Sequence, residues 1–258
     1  MKKKVLLIIT AILAIVLIGA TIWYFKYIYK YNQIAKFTNN RNQEIYILGT
    51  YHNQHFNKPF NYSMQDITNC IKNIDPDIVL IESREDTYKN YNVVDGPIDM
   101  ILAYSYCVQE NIDVDMIDYW EINDNTKPGT TDKKRDDMIN NNIMKKLETI
   151  PEGKKVLIIC GDAHLHEQTK RFKKQGFNKE RIQNKKELFR GDDSFKYPAL
   201  MQETIENKIN YASTTLKDDI NNNLNNDKNK DEWKKSSDAL VDNLKKQLEL
   251  VKENKLYY

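Results

Sequence analysis

The four histidines of this chain fall in two short segments that share one pattern. Residues 49 to 52 read Gly-Thr-Tyr-His and residues 161 to 164 read Gly-Asp-Ala-His, each directly after an apolar, β-rich run. A glycine lets the chain turn at the end of a strand, where a Cβ would clash. The imidazole three residues later can then lie over the carboxyl edge of a sheet. On neighbouring strands, His52 and His164 would come together.

Two carboxylate residues are expected at the same edge of the sheet as His52 and His164. Glu82 and Asp118 lie at the ends of two further apolar runs. Two imidazoles and one carboxylate suit a divalent metal with positions left open for water or substrate. Without a metal, the same groups could act as a general base with an orienting carboxylate. The remaining histidines, His55 and His166, either support these groups or are merely exposed.

The surrounding pattern predicts the elements that position these residues. Short apolar runs at 44–50, 77–83, 113–119 and 155–161 predict strands, and helical spacing predicts helices over 63–74, 97–110, 131–149 and 164–176. This alternation indicates an α/β fold, with a largely parallel sheet flanked by helices. Such sheets bind ligands beyond the carboxyl ends of their strands, where the histidines and Glu82 are expected. Residues 120–130 are expected to form a mobile loop beside that edge.

The last sixty residues differ from this α/β domain, which is assigned to residues 44–198. Residues 199–258 carry two apolar stripes at helical spacing, separated by an Asn-rich segment at 221–231. This pattern predicts a C-terminal helical hairpin. Covering the flank of the sheet is the favoured role for it, ahead of a separate recognition module.

The N-terminal segment predicts a membrane anchor over residues 1–31, joined to the domain by a polar tether over residues 32–43. Residues 5–25 contain no charged side chain. In a helix rising about 1.5 Å per residue they would span a hydrocarbon core of about 30 Å. Aromatic residues and lysines follow, as is typical of the headgroup layer. An uncleaved transmembrane helix is favoured over a signal peptide. The basic leader favours a single-pass protein of the cell membrane with an extracytoplasmic domain, whereas the opposite orientation stays open because Lys26, Lys30, Lys36 and Arg41 follow the span and bring the counts of basic residues on its two sides close to even.

The distribution of charged residues along the chain limits the kinds of molecule that the protein is expected to bind. Residues 1–41 hold seven basic groups and no acidic one, which leaves 32 basic groups (39 minus 7) against 37 acidic ones in the remainder. A domain with this negative balance lacks the basic surface that nucleic acid requires, so a peptide or small-molecule substrate is expected instead. The three cysteines form neither a disulfide framework nor a metal-binding pattern.

Taken together, these motifs resemble the TIKI/TraB/GumN/PrgY superfamily, and are distantly similar to erythromycin esterases and ChaN-type haem-binding proteins. The resemblance rests on GTYH, GDAH, PDIVLIES at 76–83 and RDDM at 135–138. It covers about residues 44–180. It implies that His52 and His164 are the two motif histidines, Glu82 the carboxylate that ends a strand, and Arg135 the arginine of a later helix.

The expected function is therefore a membrane-anchored, metal-dependent hydrolase that cleaves peptides or other amides. His52, His164 and Glu82 would hold a divalent ion such as Mn²⁺, Co²⁺ or Zn²⁺, and Arg135 would stabilise developing negative charge. One alternative is a metal-free, esterase-like hydrolase. Another is a non-catalytic protein that binds haem or a signalling peptide. The chain departs from the superfamily in having Tyr119, where many members have arginine, after Asp118.

Overall fold

The computed structural model describes residues 2–192 and 194–258, without the side chains of residues 2, 4–8, 11, 22 and 25–27. The strands are β1 (Ile34–Thr38), β2 (Glu44–Thr50), β3 (Ile78–Arg84), β4 (Asp113–Asp118), β5 (Lys155–Gly161) and β6 (Asn178–Glu180). The helices before β4 are α1 (Lys2–Tyr27), α2 (Tyr29–Asn32), α3 (Met64–Ile74), α4 (Glu85–Tyr91) and α5 (Ile98–Gln109). Those after it are α6 (Lys133–Thr149), α7 (Asp162–Lys174), α8 (Lys185–Leu188), α9 (Ala199–Ser213), α10 (Thr215–Asn223) and α11 (Asp227–Lys252). Two 3₁₀ turns, η1 (His52–Phe56) and η2 (Lys58–Phe60), follow β2.

The six strands form one mixed sheet in the order β4-β3-β5-β2-β1-β6. β4, β3, β5 and β2 pair in parallel, whereas β1 and β6 pair antiparallel at one side. The predicted α/β class and flanking helices are confirmed. In this order β5 lies between β3 and β2, so the ends of three site-bearing strands are adjacent.

The strand β5, in the middle of the sheet, has a uniformly apolar sequence because of where it lies. Residues 156–160 of β5 are fully buried, because α6 and α7 cover one face of the sheet and α3 and α5 cover the other. A parallel strand buried on both faces has no solvent side to mark with polar residues. The same burial makes the thiol of Cys160 inert, since desolvation raises its pKa well above the ordinary value.

The C-terminal residues form three helices where the stripes predicted a hairpin of two. α9 packs against α5, and α11 packs against both α9 and α10. The Ser237 hydroxyl of α11 donates to the carbonyl of Ala212 in α9, at 2.8 Å. These helices extend the hydrophobic core and also reach the carboxyl edge of the sheet.

The predicted tether is wrong. Residues 34–38 form β1, which pairs with β2 from Ile34 opposite Leu48 to Thr38 opposite Glu44. The reason is that Ile34, Ala35 and Phe37 are buried apolar side chains, and their short run is masked in sequence by the asparagines around it.

The anchor prediction concerns α1, and several of its apolar side chains lie outside the described residues. Those described, such as Ile15 and Leu17, are exposed. A search of the described residues finds no helix with the length and apolar character of a membrane span.

Candidate functional site

The sheet brings the two Gly-x-x-His turns side by side. In the parallel pair of β2 and β5, Gly49 lies opposite Cys160 and Thr50 opposite Gly161. His52 then begins the 3₁₀ turn η1, and His164 lies in the first turn of α7. The two imidazoles therefore leave adjacent strand ends, as the sequence predicts.

His52 is the more accessible of the two. Its Nδ1 lies 3.1 Å from Asp99 Oδ2, and its backbone N–H donates to the same oxygen at 3.3 Å. The side chain remains 39% exposed. Burial lowers its pKa, but the buried Asp99 carboxylate and the charge of Glu82 outweigh this and raise the pKa to about 9. The backbone of His52 is left-handed, at φ 48°, a region that histidine enters more often than most non-glycine residues.

His164 is enclosed by carboxylates. Its Nδ1 lies 2.6 Å from Asp136 Oδ1, its Nε2 lies 3.3 Å from Glu82 Oε1, and its side chain is only 4% exposed. Burial lowers the pKa of His164, but its hydrogen bond with Glu82 and the charges around it raise the pKa overall. An imidazole with a carboxylate at each nitrogen is stabilised as the imidazolium.

Glu82 is the buried centre of the cluster. β3 has a bulge after Ile81, so that Glu82 and Ser83 oppose one residue of β4, and such bulges often redirect a side chain beside a site. Its Oε1 accepts from Arg135 Nη2 at 2.7 Å and its Oε2 from the Gly161 N–H at 2.5 Å. Burial raises the pKa of Glu82, but His164 and Arg135 outweigh it and lower the pKa overall. The carboxylate is therefore ionised.

Arg135 joins two strand ends. Its Nε and Nη2 donate to the two carboxylate oxygens of Asp118 at 2.9 and 2.8 Å, while Nη2 also reaches Glu82. Asp132 caps α6 by accepting from the Arg135 N–H, which fixes the first turn of the helix at the sheet edge. Within the described residues Arg135 Nη1 has no hydrogen-bond partner.

The two motif glycines are required for space. A Cβ on Gly161 would lie 2.9 Å from His52 Nε2 and 3.4 Å from Glu82 Oε2, and one on Gly49 would lie 2.8 Å from Leu165 Cδ2. Gly161 itself has an ordinary φ of −57°. At Gly161 the reason is therefore not the expected sharp turn but the close approach of the His52 ring.

A cavity of about 400 Å³ lies over this cluster. His52, Glu82 and Arg135 line it on the sheet side, while residues 119–132 and α11 form the opposite wall. Trp120 holds that wall together, because its ring lies between the Arg84 guanidinium, 3.6 Å from the ring centre, and the stacked ring of Trp233 at 5.9 Å. The C-terminal helices are thus part of the site rather than only a flank.

The donor set does not fit a divalent metal as it is arranged. Both ring nitrogens of His164 face carboxylates, and Glu82 already accepts from Arg135 and from the Gly161 N–H. A metal ligand needs a free lone pair, and in this arrangement neither ring nitrogen of His164 offers one. His52 Nε2 faces no carboxylate within ion-pair distance, and Glu82 keeps acceptor sites beyond its hydrogen bonds with Arg135 and Gly161. Over the described part of the chain, no group of three or more His, Cys, Asp or Glu residues is arranged to hold an ion.

Sequence reasoning missed Asp99 and Asp136, the carboxylates that orient the two histidines. Both lie in the first turn of a helix, α5 or α6. An acidic residue there is common because it complements the helix dipole, so its type carries no signal of a site. Asp136 had one available signal, its place in the RDDM segment beside Arg135.

The other two histidines have different surroundings. His55 is fully buried, its Nδ1 lies 2.8 Å from the carbonyl of Tyr62, and its Nε2 accepts from the Tyr51 N–H at 2.7 Å. It is therefore a neutral imidazole that holds the η1 turn. His166 is exposed on α7, away from the cavity.

No family model, curated protein or solved structure matches this chain.

Proposed function

We propose that this protein is a hydrolase that cleaves an amide or ester by general acid–base catalysis at His52. The observation that carries the proposal is the pairing of a partly exposed imidazole with a buried carboxylate, His52 with Asp99, on the wall of a cavity. A carboxylate at Nδ1 holds the ring and stabilises its protonated form, as in the Ser-His-Asp arrangement. The resemblance to erythromycin esterases and to the TIKI/TraB group points to the same broad class.

In the proposed reaction His52 acts on a water molecule. Nε2 takes a proton from the water as its oxygen bonds to the substrate carbonyl carbon. The same proton then passes from the imidazolium to the departing nitrogen or oxygen as the carbon–heteroatom bond breaks. Because the pKa of resting His52 is about 9, the neutral base is the minor form at pH 7, and the rate should rise with pH up to about 9.

Arg135 is suited to the negative charge that develops on the carbonyl oxygen. It lines the cavity and has an N–H donor, at Nη1, beyond those that bind Glu82 and Asp118. Both carboxylates hold the guanidinium in place, and a preorganised donor stabilises an oxyanion better than a mobile one. His164 and Glu82 are positioning residues in this scheme.

The test compares His52→Ala with His166→Ala in the purified full-length protein. A panel of N-acyl amino-acid amides, short peptides and matching esters is incubated with each, and the products are identified by mass spectrometry. Loss of a general base reduces the rate by about 10²- to 10⁴-fold, so His52→Ala should lose activity while His166→Ala keeps it. Hydrolysis by His52→Ala at the wild-type rate would refute the role of His52.

Metal dependence is tested in the same preparation. Activity should survive a chelator, and elemental analysis should find no stoichiometric divalent ion. A stoichiometric Mn²⁺, Co²⁺ or Zn²⁺ that His52→Ala and His164→Ala both release would instead favour the metal-dependent hydrolase. That result would require His164 and Glu82 to exchange their present partners.

We also propose that the protein is anchored in the cell membrane through its N-terminal segment, with the domain on the extracytoplasmic side. The support is the uncharged sequence of residues 5–25 and the basic leader before it. Membrane fractionation with alkaline washing, followed by protease treatment of intact cells, tests both parts. Release by the alkaline wash would contradict the anchor, and protection from protease would contradict the orientation.

A further inference from the structure

Lys208 is a buried cation that the proposed reaction does not use. It lies on the inner face of α9, three residues after Ile205, with 3% of its surface exposed. Its ammonium donates to the carbonyl of Gly96, and no described carboxylate forms an ion pair with it. Lysine is seldom buried without a partner of opposite charge, because desolvation of the ammonium is costly. Burial lowers its pKa to about 8, which leaves it mainly charged at neutral pH.

The same cavity is lined by a side chain with one unpartnered polar atom. Gln247 of α11 is 1% exposed, and its Nε2 donates to Asn53 Oδ1, next to His52 in sequence, at 2.7 Å. Its Oε1 finds no hydrogen-bond donor among the described residues. A buried acceptor left unpaired destabilises the folded state, and a ligand N–H that binds Oε1 would satisfy it.

Both groups line the cavity that His52 and Glu82 line. We infer that Lys208 and Gln247 form a recognition subsite for a substrate that carries a free carboxylate and a neighbouring amide N–H, such as the C-terminal end of a peptide or an N-acyl amino acid. One ammonium matches one carboxylate, and the unpaired carbonyl of Gln247 matches one N–H. The inference rests on the proposed function in one respect, that the bound substrate has a reactive carbonyl near His52. Binding at the subsite can be measured separately from that reaction.

In the experiment, N-acetyl dipeptides are titrated into the protein in two kinds of matched pair. One pair compares the free acid with the C-terminal amide, and the other compares the N–H form with the N-methyl form. Binding is followed by tryptophan fluorescence, since Trp120 and Trp233 both line the cavity. Wild type and the His52→Ala background are used, so that binding is read with and without turnover. The variants are Lys208→Met and Gln247→Met. The control is Lys134→Met, which removes an exposed lysine of the same cavity.

Wild-type protein should bind the free acid about 10- to 100-fold more tightly than the amide, as expected for a hydrogen bond to a charged group. Lys208→Met should abolish that preference, because methionine has no charge to pair with a carboxylate. Lys134→Met should retain it. Gln247→Met should lose the preference for N–H over N-methyl.

Three results would overturn the inference. They are no binding of any acid at millimolar concentration, equal binding of acid and amide by wild type, and survival of the acid preference in Lys208→Met or of the N–H preference in Gln247→Met. Product analysis of the wild-type samples keeps the two proposals apart. A protein that selects the acids but cleaves none of them would retain the subsite and refute the hydrolase.

Discussion

The substitution Asp99→Asn removes one charge from the site while it keeps the shape of the side chain. In the wild-type protein the Asp99 carboxylate is the main reason that the pKa of His52 is raised to about 9 from an ordinary 6.5. Asparagine cannot supply that charge, and burial alone lowers the pKa of a histidine. The pKa of His52 in Asp99→Asn should therefore fall from about 9 toward the ordinary value, with Glu82 as the remaining charge that raises it.

The shift also has a consequence for stability. Raising the pKa of His52 from 6.5 to about 9 corresponds to about 3 kcal/mol at full strength, but the His52 side chain is 39% exposed, and solvent screening reduces this to about 1–2 kcal/mol. Because the folded-state pKa of His52 is raised, this stabilisation is lost as pH rises through 9. It is also lost in strong acid, because His52 lowers the pKa of Asp99 from an ordinary 3.8, and the unfolded chain then takes up the proton first. The stability gap between wild type and Asp99→Asn should therefore be largest between about pH 4 and 6.5, and it should narrow above about pH 9 and below about pH 4.

The assay is a pH titration of the histidine ring carbons by NMR, together with urea unfolding at several pH values. The chain has four histidines, so each signal can be assigned by substitution. A wild-type His52 that titrates near 6.5, or a stability gap that does not change with pH, would refute the pairing of His52 with Asp99.

Two further substitutions test the space and the wall of the site. Gly161→Ala places a Cβ 2.9 Å from His52 Nε2 and should displace the ring. Displacement of a reacting group by about 1 Å can lower a rate about 10²-fold, so kcat should fall strongly. An unchanged kcat would show that the ring can move aside without loss of activity. Trp120→Ala removes contacts with Arg84 and Trp233 that together contribute about 1–2 kcal/mol. Limited proteolysis within residues 119–132 should become faster, and an unchanged cleavage rate would contradict the role of Trp120 in holding this wall.

The sequence predicts the sheet edge well because the relevant signals are local. β2 and β5 are continuous apolar runs that end in glycine, and buried parallel strands have this appearance. The positions of His52 and His164 follow from those strand ends. Glu82 is predicted for the same reason, although the bulge that aims its side chain depends on β4 and has no signal in its own segment.

The rest of the site depends on tertiary pairing, which sequence patterns do not report. Asp99 and Asp136 are two of 37 acidic residues. Nothing local distinguishes Asp99 from a solvated carboxylate in another helix N-terminal turn, and for Asp136 the one signal is its place beside Arg135 in the RDDM segment. The burial of Lys208 cannot be predicted from the sequence for a related reason. It lies within an apolar stripe of α9, where a lysine would ordinarily reach solvent with its charged end.

The two motif histidines, identical in their sequence pattern, should differ in what their loss does. His164→Ala leaves the buried Asp136 carboxylate without its cation and Glu82 with Arg135 alone, and breaking a buried pair typically costs about 3–5 kcal/mol. His52→Ala also removes the cation of a buried carboxylate, Asp99, but the lost ring is 39% exposed on the cavity wall. Solvent therefore screens this interaction, and the cost should be smaller, about 1–2 kcal/mol, while activity should be lost.

Urea unfolding of both variants at pH 7 measures this difference. His164→Gln is the matched control, since an amide can still donate to one of the two carboxylates and should recover part of the stability. If His52→Ala and His164→Ala lost the same stability, the separation between a reacting histidine and a positioning histidine would be wrong. We therefore expect exposure to separate the two roles. The His52 ring, 39% exposed, can meet a substrate, whereas the His164 ring, 4% exposed, holds the groups around it.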